Sequence, residues 1–201
     1  GKILVCGNSQ ISTEVWDGFT LRLNPSGHPD TTFGVNGIKK FGLADGWNQG
    51  LQVVVLSGGE VLVCGALEKN KINTPALFLL TPQGAFVSSF GINGILTFNQ
   101  LLSSRFEDVV ILSEEVIIAG GGRNLVSINQ SGSLNVDFGK NGIAKQAMEI
   151  YGLALDEQGK LLVCGDIVRD ADRKFAVSRI NTQSTTALLE ADNLSKEIKI
   201  I

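Results

Sequence analysis

A short phrase, Phe33-Gly34-Val35-Asn36-Gly37-Ile38, returns as Phe90-Gly91-Ile92-Asn93-Gly94-Ile95 and again as Phe138-Gly139-Lys140-Asn141-Gly142-Ile143. A second phrase, an apolar run closing on glycine, keeps step with it at Lys2–Gly7, Val61–Gly65, Val116–Gly120 and Leu161–Gly165. Two phrases recurring in one order make this a repeat chain. Each repeat is then one supersecondary unit that buries its apolar faces against its neighbours.

The phrases mark off units of about 45 to 58 residues, a length that suits a four-stranded blade. One unit reads in full from Leu51. Strand A is Leu51–Leu56, and Ser57-Gly58-Gly59-Glu60 turns the chain into strand B at Val61–Cys64. A polar loop from Glu68 to Thr74 leads to strand C at Ala76–Leu80; Thr81-Pro82-Gln83-Gly84 ends it, and strand D follows at Ile95–Phe98. Strand A recurs at Val109–Leu112 and Leu153–Leu155. Strand C recurs at Phe19–Leu23, Leu125–Ile128 and Phe175–Ile180, and strand D at Ile38–Phe41 and Ile143–Gln146. The runs are short, rich in Val, Ile and Leu, bounded by turn residues, and lack helical spacing. Each Asn-Gly pair supplies two residues that accept the positive φ of a tight hairpin. Thr185–Asn193 is a weak helical patch, and Ile198–Ile201 reads as a last strand D.

The expected fold is all-β: a β-propeller or partial propeller of about four four-stranded antiparallel blades. Its units run over approximately 1–50, 51–105, 106–150 and 151–201 in one repeat domain. The first unit lacks strand A, which leaves an unpaired edge of the kind proteins usually cover. That edge points to a piece of a larger ring, or to self-association that completes the unit through another copy.

Composition narrows the function classes. A net charge of −3 and a pI near 5.2 give no basic field, so a nucleic-acid partner is not expected. No apolar run reaches the roughly 20 residues of a membrane helix, so no membrane span is expected. Cys6, Cys64 and Cys164 take one place in the repeat, with Ala119 standing in the remaining copy. Small apolar strand residues account for them better than a disulfide or metal site. His28 is the only histidine and lies in a turn, which removes ordinary triad and acid–base routes. No catalytic residue, metal ligand or cofactor is assigned. Gly120-Gly121-Gly122 lacks the Lys-Ser/Thr of a phosphate loop, and Gly120 falls on the glycine that ends strand B. Asp166, Asp170 and Asp172 read as an acidic loop interleaved with Arg169, Arg173 and Lys174 rather than a Ca²⁺ site.

The connection from strand D to the next strand A carries the better signal. In a propeller this crossover lies near one mouth of the central channel. Asp45, Trp47, Asn48, Arg105, Glu107 and Asp108 would surround that mouth as candidate ligand-binding residues. An aromatic ring with amide and carboxylate groups suits sugars or peptides. The leading expectation is a non-enzymatic module that binds or scaffolds a protein or glycan partner. Its rivals are a propeller-type carbohydrate hydrolase or lyase using carboxylates such as Asp45 and Asp108, and a purely structural segment of a larger protein.

Three stretches carry a family resemblance: Gly1–Gly7; Leu23-Asn24-Pro25-Ser26-Gly27-His28-Pro29-Asp30-Thr31-Thr32-Phe33-Gly34; and, more loosely, Asn129–Gly139. They resemble the bacterial delta-60 repeat. The resemblance implies a β-propeller-like fold in large secreted or surface-associated bacterial proteins. It brings no shared active site, because the matched residues are turn and packing residues.

Overall fold

The computed structural model describes residues 1–42, 46–101, 104–114, 116–169 and 172–180. The described chain is all-β, with one 3-10 turn at Asn99–Leu101. Its strands are β1 (Ile3–Gln10), β2 (Trp16–Leu23), β3 (Ile38–Phe41), β4 (Gln49–Val55), β5 (Val61–Lys69), β6 (Ile72–Leu80) and β7 (Ile95–Thr97). There follow β8 (Asp108–Ser113), β9 (Val116–Ile128), β10 (Ile143–Leu155), β11 (Leu161–Arg169) and β12 (Asp172–Ile180). All pair antiparallel, in sheets ordered β1-β2-β3, β4-β5-β6-β7 and β12-β11-β10-β9-β8. Asp170, the expected helical patch and the expected last strand lie outside the described residues.

The turn phrase folds the same way in each copy. Asn36 and Gly37 adopt φ of 53° and 89°, Asn93 and Gly94 of 54° and 87°, and Asn141 and Gly142 of 53° and 87°. Val35 and Ile38 exchange backbone hydrogen bonds across the first of these turns (2.8 and 3.1 Å). The left-handed pair that Asn-Gly tolerates is what reverses the chain so tightly. The phenylalanine that opens each phrase is buried, at 0% exposure for Phe33, 2% for Phe90 and 7% for Phe138.

Those rings lie between successive units. One core cluster holds Leu4, Cys6, Phe33 and Phe41 of the first unit against Val61, Val63 and Phe78 of the second. Another holds Leu62, Cys64, Leu77 and Phe90 of the second against Ile117, Ala119 and Val126 of the third. A third holds Ile118, Leu125 and Phe138 against Leu161, Val163 and Ala176. Within β5, alternate residues therefore face opposite neighbours, as the period of two requires. The packing is head to tail: the face bearing Leu4 and Cys6 meets the face bearing Val61 and Val63. Burying each of these large side chains stabilises the stack by about 1.5–3 kcal/mol.

The expectation of separate four-stranded blades after a first unit without strand A gives way, in the third and fourth units, to one five-stranded sheet. The cause lies in β9 and β10. Ile118 and Leu125 share one core cluster while Ile117 and Val126 share another. Residues an odd number apart on a straight strand point to opposite faces. A Cβ on Gly120 would also lie 3.0 Å from Leu125 Cδ2. β9 therefore doubles back at Gly122, whose φ is 54°, and carries strands B and C as two short arms. Past this shortened hairpin the chain needs almost no crossover. Ile143–Lys145 of β10 pair with β9, while Glu149–Leu155 pair with β11, so the third and fourth units share one sheet.

Two further expectations are corrected. Glu68 to Thr74 is not a loop: β5 and β6 run through it to a turn at Asn70 and Lys71, both at positive φ (52° and 62°). Ala119 is not the counterpart of the cysteines. Cys64 pairs with Gln52, Cys164 with Gly152 and Gly120 with Asp108, which moves the equivalence by one residue. Gly121, not Gly120, is then the glycine matching Gly65 and Gly165.

Candidate functional site

The D-to-A connections and the B–C hairpin tips create two neighbouring clefts. In the first, Trp16 opens β2 and Trp47 ends the crossover into β4. Trp16 N donates to Gly46 O (3.0 Å), and Asn48 N donates back to Trp16 O (2.9 Å). The Asn48 side chain donates to the same carbonyl (3.0 Å). These bonds hold the two indoles 5.7 Å apart at 53°. Trp47 keeps 48% of its surface exposed. It forms one wall of an open cleft of about 550 Å³, with Glu14, Glu68, Asn70 and Lys71 on the others. The left-handed turn at Asn70-Lys71 brings an amide and an ammonium to the same rim as the indole.

The second cleft is built by a β-bulge that recurs at the start of strand A. Register shifts fall between Gly50 and Gln52 in β4 and between Ile150 and Gly152 in β10. By the same register Gln49, Arg105 and Glu149 are equivalent, as are the bulged Leu51, Glu107 and Tyr151. Arg105 Nε donates to Glu107 Oε1 (2.6 Å), and its Nη1 donates to Gln49 Oε1 (3.4 Å). Arg123 Nε donates to Glu149 Oε1 (2.9 Å). Tyr151 OH donates to Asp166 Oδ2 (3.2 Å), which also accepts from Arg173 Nη1 (2.9 Å). Arg105, Glu107, Glu149 and Tyr151, with Asn73 and Ser104, line a cavity of about 240 Å³. Alternating guanidinium and carboxylate groups there offer hydrogen-bond donors and acceptors with little net charge.

The candidate residues thus separate. Arg105 and Glu107 meet in the second cleft, and Trp47 stands in the first. Asn48 is fully buried and ties the crossover to β2. Asp108 serves the backbone: Oδ1 accepts from Val109 N and Oδ2 from Leu153 N, both at 2.7 Å. It links strand A of the third unit to strand A of the fourth. Asp45 lies outside the described residues. Asp166 and Asp172 belong to β11 and β12 rather than to a loop, and Asp166 is neutralised by Arg173.

Trp16, Glu149, Tyr151 and Arg123 were not picked out from the sequence. Glu149 and Tyr151 could have been reached by counting from Gly165, since they hold the places of Arg105 and Glu107.

Elsewhere, the matched turn of the first unit is held by Asp30. The Thr32 hydroxyl donates to its carboxylate (2.8 Å), and Lys2 and Arg22 stand at 3.1 and 2.8 Å. The Thr32 hydrogen bond above all, with these two cations, holds the Asp30 carboxyl well below the ordinary carboxylate range. Burial pushes the Cys64 thiol up, so it has the character of an inert core residue.

Residues 1–33 match a family model described as "Domain of unknown function (DUF5122) beta-propeller". The first unit is similar to a β-propeller repeat. The match ends at Phe33, so it covers β1, β2 and the Asp30 turn and stops short of the two clefts. Curated proteins and solved structures give no match. Among the described residues, no helix is long and apolar enough to cross a membrane.

Proposed function

We propose that the chain is a non-enzymatic recognition module built on about four propeller-type repeats of the delta-60 kind, and that it holds a glycan or peptide. The carrying observation is Trp47: a half-exposed indole, braced by Trp16 and Asn48, on a cleft rimmed by carboxylate, amide and ammonium groups. A rigid aromatic face with polar groups at its edge stacks on a sugar ring or an extended peptide while fixing its orientation. The Arg105–Glu107 cleft offers a second polar surface. The carboxylate pair that a hydrolase would need finds no support at Asp108, whose oxygens each accept a backbone N–H.

Both tryptophans of the chain lie at this cleft, so intrinsic fluorescence reports on it alone. Titration with a panel of oligosaccharides and peptides should give a saturable spectral change for one class. Trp47→Ala should weaken that ligand by about 2- to 10-fold, the worth of one aromatic contact. A panel without any saturable response, or a ligand bound equally well by Trp47→Ala, would overturn the reading.

A further inference from the structure

We propose that the second cleft is a binding site for one neutral sugar residue, separate from the Trp47 cleft. It lies where equivalent positions of two units meet: Arg105 and Glu107 come from the third, Glu149 and Tyr151 from the fourth. The β5–β6 hairpin adds Asn73 to the lining, and the crossover adds Ser104.

Charge decides the class of ligand. Each carboxylate of the cleft is matched by a guanidinium, Glu107 by Arg105 (2.6 Å) and Glu149 by Arg123 (2.9 Å). The pairs cancel, so a phosphate or an ammonium group would meet no counter-ion that is not already engaged. Hydrogen-bonding capacity is left over. In both pairs only Oε1 of the carboxylate is used, and Arg105 donates through Nε and Nη1 alone among the described residues. Oε2 of each carboxylate and Nη2 of Arg105 therefore stay available. A hydroxyl both donates and accepts, so neighbouring hydroxyls on a sugar ring can bridge a carboxylate oxygen and a guanidinium N–H without bringing charge.

Two further lining groups lack a partner. Asn73 Oδ1 and Ser104 Oγ are buried in the cleft wall with no hydrogen-bond partner among the described residues. Rotation about one side-chain bond turns either toward the cavity, where a ligand hydroxyl would remove the cost of a buried polar atom left unpaired. Tyr151 supplies the apolar contact. Its ring is half-exposed, and its hydroxyl is braced by Asp166 Oδ2 (3.2 Å) and Arg173 Nη1 (3.4 Å). A braced ring at the rim suits the apolar face of a sugar. The cavity of about 240 Å³ is smaller than the roughly 300 Å³ at which pockets for drug-sized ligands begin, so it takes a single residue of a glycan.

Tyr151 is the only tyrosine of the chain, and both tryptophans lie at the other cleft, so the two sites have separate reporters. Protein labelled with fluorotyrosine gives one fluorine NMR signal, from the second cleft; fluorotryptophan reports on the first. The tyrosine signal is followed against the methyl glycosides of glucose, galactose and mannose up to tens of millimolar, with glucose phosphate and glucosamine as charged controls. At least one methyl glycoside should shift it saturably, and neither charged sugar should bind more tightly. Asn73→Ala should weaken that glycoside by about 2- to 10-fold, the worth of one hydrogen bond. It should leave the urea midpoint no lower than wild type, because the atom removed has no partner to lose. Glu149→Gln should weaken the glycoside by about tenfold or more, as loss of a charge-assisted bond does. Trp47→Ala should leave the tyrosine response unchanged. A tyrosine signal unmoved by every neutral glycoside, preference for a charged sugar, or unchanged affinity in Asn73→Ala and Glu149→Gln would overturn the proposal. Tryptophan signals that respond beside a silent tyrosine would remove this site and leave the Trp47 reading standing; the reverse would do the opposite.

Discussion

The glycine that closes strand B offers a sharp test of how these units are built. At Gly65 a Cβ would lie 2.8 Å from the carbonyl carbon of Gln49, with the carbonyl oxygen closer still and Gly50 Cα at 3.3 Å. Gly121 meets Arg105 in the same way (2.9 Å to its carbonyl carbon), and Gly165 meets Glu149 (2.8 Å). Every partner stands two residues before the position equivalent to the bulged Leu51, so the methyl of alanine would push backbone against backbone. Relief requires parting Gly50 from Gly65 at the end of the β4–β5 ladder. Losing one or two such bonds costs about 1–2 kcal/mol, and the overpacking adds about 1–3 kcal/mol. Gly65→Ala should therefore destabilise by about 3 kcal/mol. The first unit supplies the control, because no strand A pairs with β1 among the described residues. A Cβ on Gly7 meets only the Phe19 ring, at 3.2 Å, and a ring edge can shift by a few tenths of an ångström. Gly7→Ala should lie within about 1 kcal/mol of wild type, since the lower entropy of the unfolded alanine chain offsets the crowding. Urea unfolding followed by tryptophan fluorescence and by circular dichroism measures both. Equal costs at the two positions would refute the argument that strand A, rather than the B–C hairpin itself, demands glycine there.

Asp30 should make the first unit acid-sensitive. Its carboxyl is held below the ordinary range when folded, so its stabilisation is present above an unfolded pKa of about 4 and is lost as pH falls below that toward the folded value. The urea midpoint of the wild type should drop over that acid window, and that of Asp30→Asn should drop less; identical slopes would show that the Lys2–Arg22–Thr32 cluster is not the cause. Asp108→Asn keeps one acceptor but sets an amide N–H₂ near a backbone donor, and should cost about 1–3 kcal/mol in the same assay. It should leave ligand affinity at the Trp47 cleft unchanged, and an unchanged stability with lost affinity would instead make Asp108 a ligand contact.

What was legible in the sequence was whatever a residue decides locally. Asn36-Gly37 and its two copies demand positive φ wherever they stand, so the turns, and with them the strands C and D on either side, could be placed. Asn70-Lys71 makes the same kind of turn, but lysine carries no such signal, and the hairpin it closes looked like a loop. The third unit was harder for a different reason. In Ala119-Gly120-Gly121-Gly122 any glycine could end strand B, and only the pairing of Gly120 with Asp108 settles the frame. That slip of one residue concealed the equivalence of Arg105 with Glu149 and of Glu107 with Tyr151. Of the residues singled out on the crossover, Arg105 and Glu107 meet in the second cleft. Whether a carboxylate faces a cavity or the backbone depends on tertiary packing, and composition could not separate Glu107 from Asp108.

The same frame explains why these side chains can vary while the fold does not. Gly65, Gly121 and Gly165 let the start of strand A approach strand B closely, and the bulge that follows turns one residue out of the ladder. The framing glycine is constant across these units, yet the positions it presents are Gln49 and Leu51, then Arg105 and Glu107, then Glu149 and Tyr151. A structural requirement on those side chains would have kept them alike, as it kept the three buried phenylalanines alike. Their divergence, in units whose turns agree in φ to within a few degrees, shows that the fold places no common requirement on them. The arginine–carboxylate pairs at the second cleft are exposed enough that each contributes only about 0–1 kcal/mol to stability. Folding does not need them, and that leaves their arrangement free to vary from unit to unit.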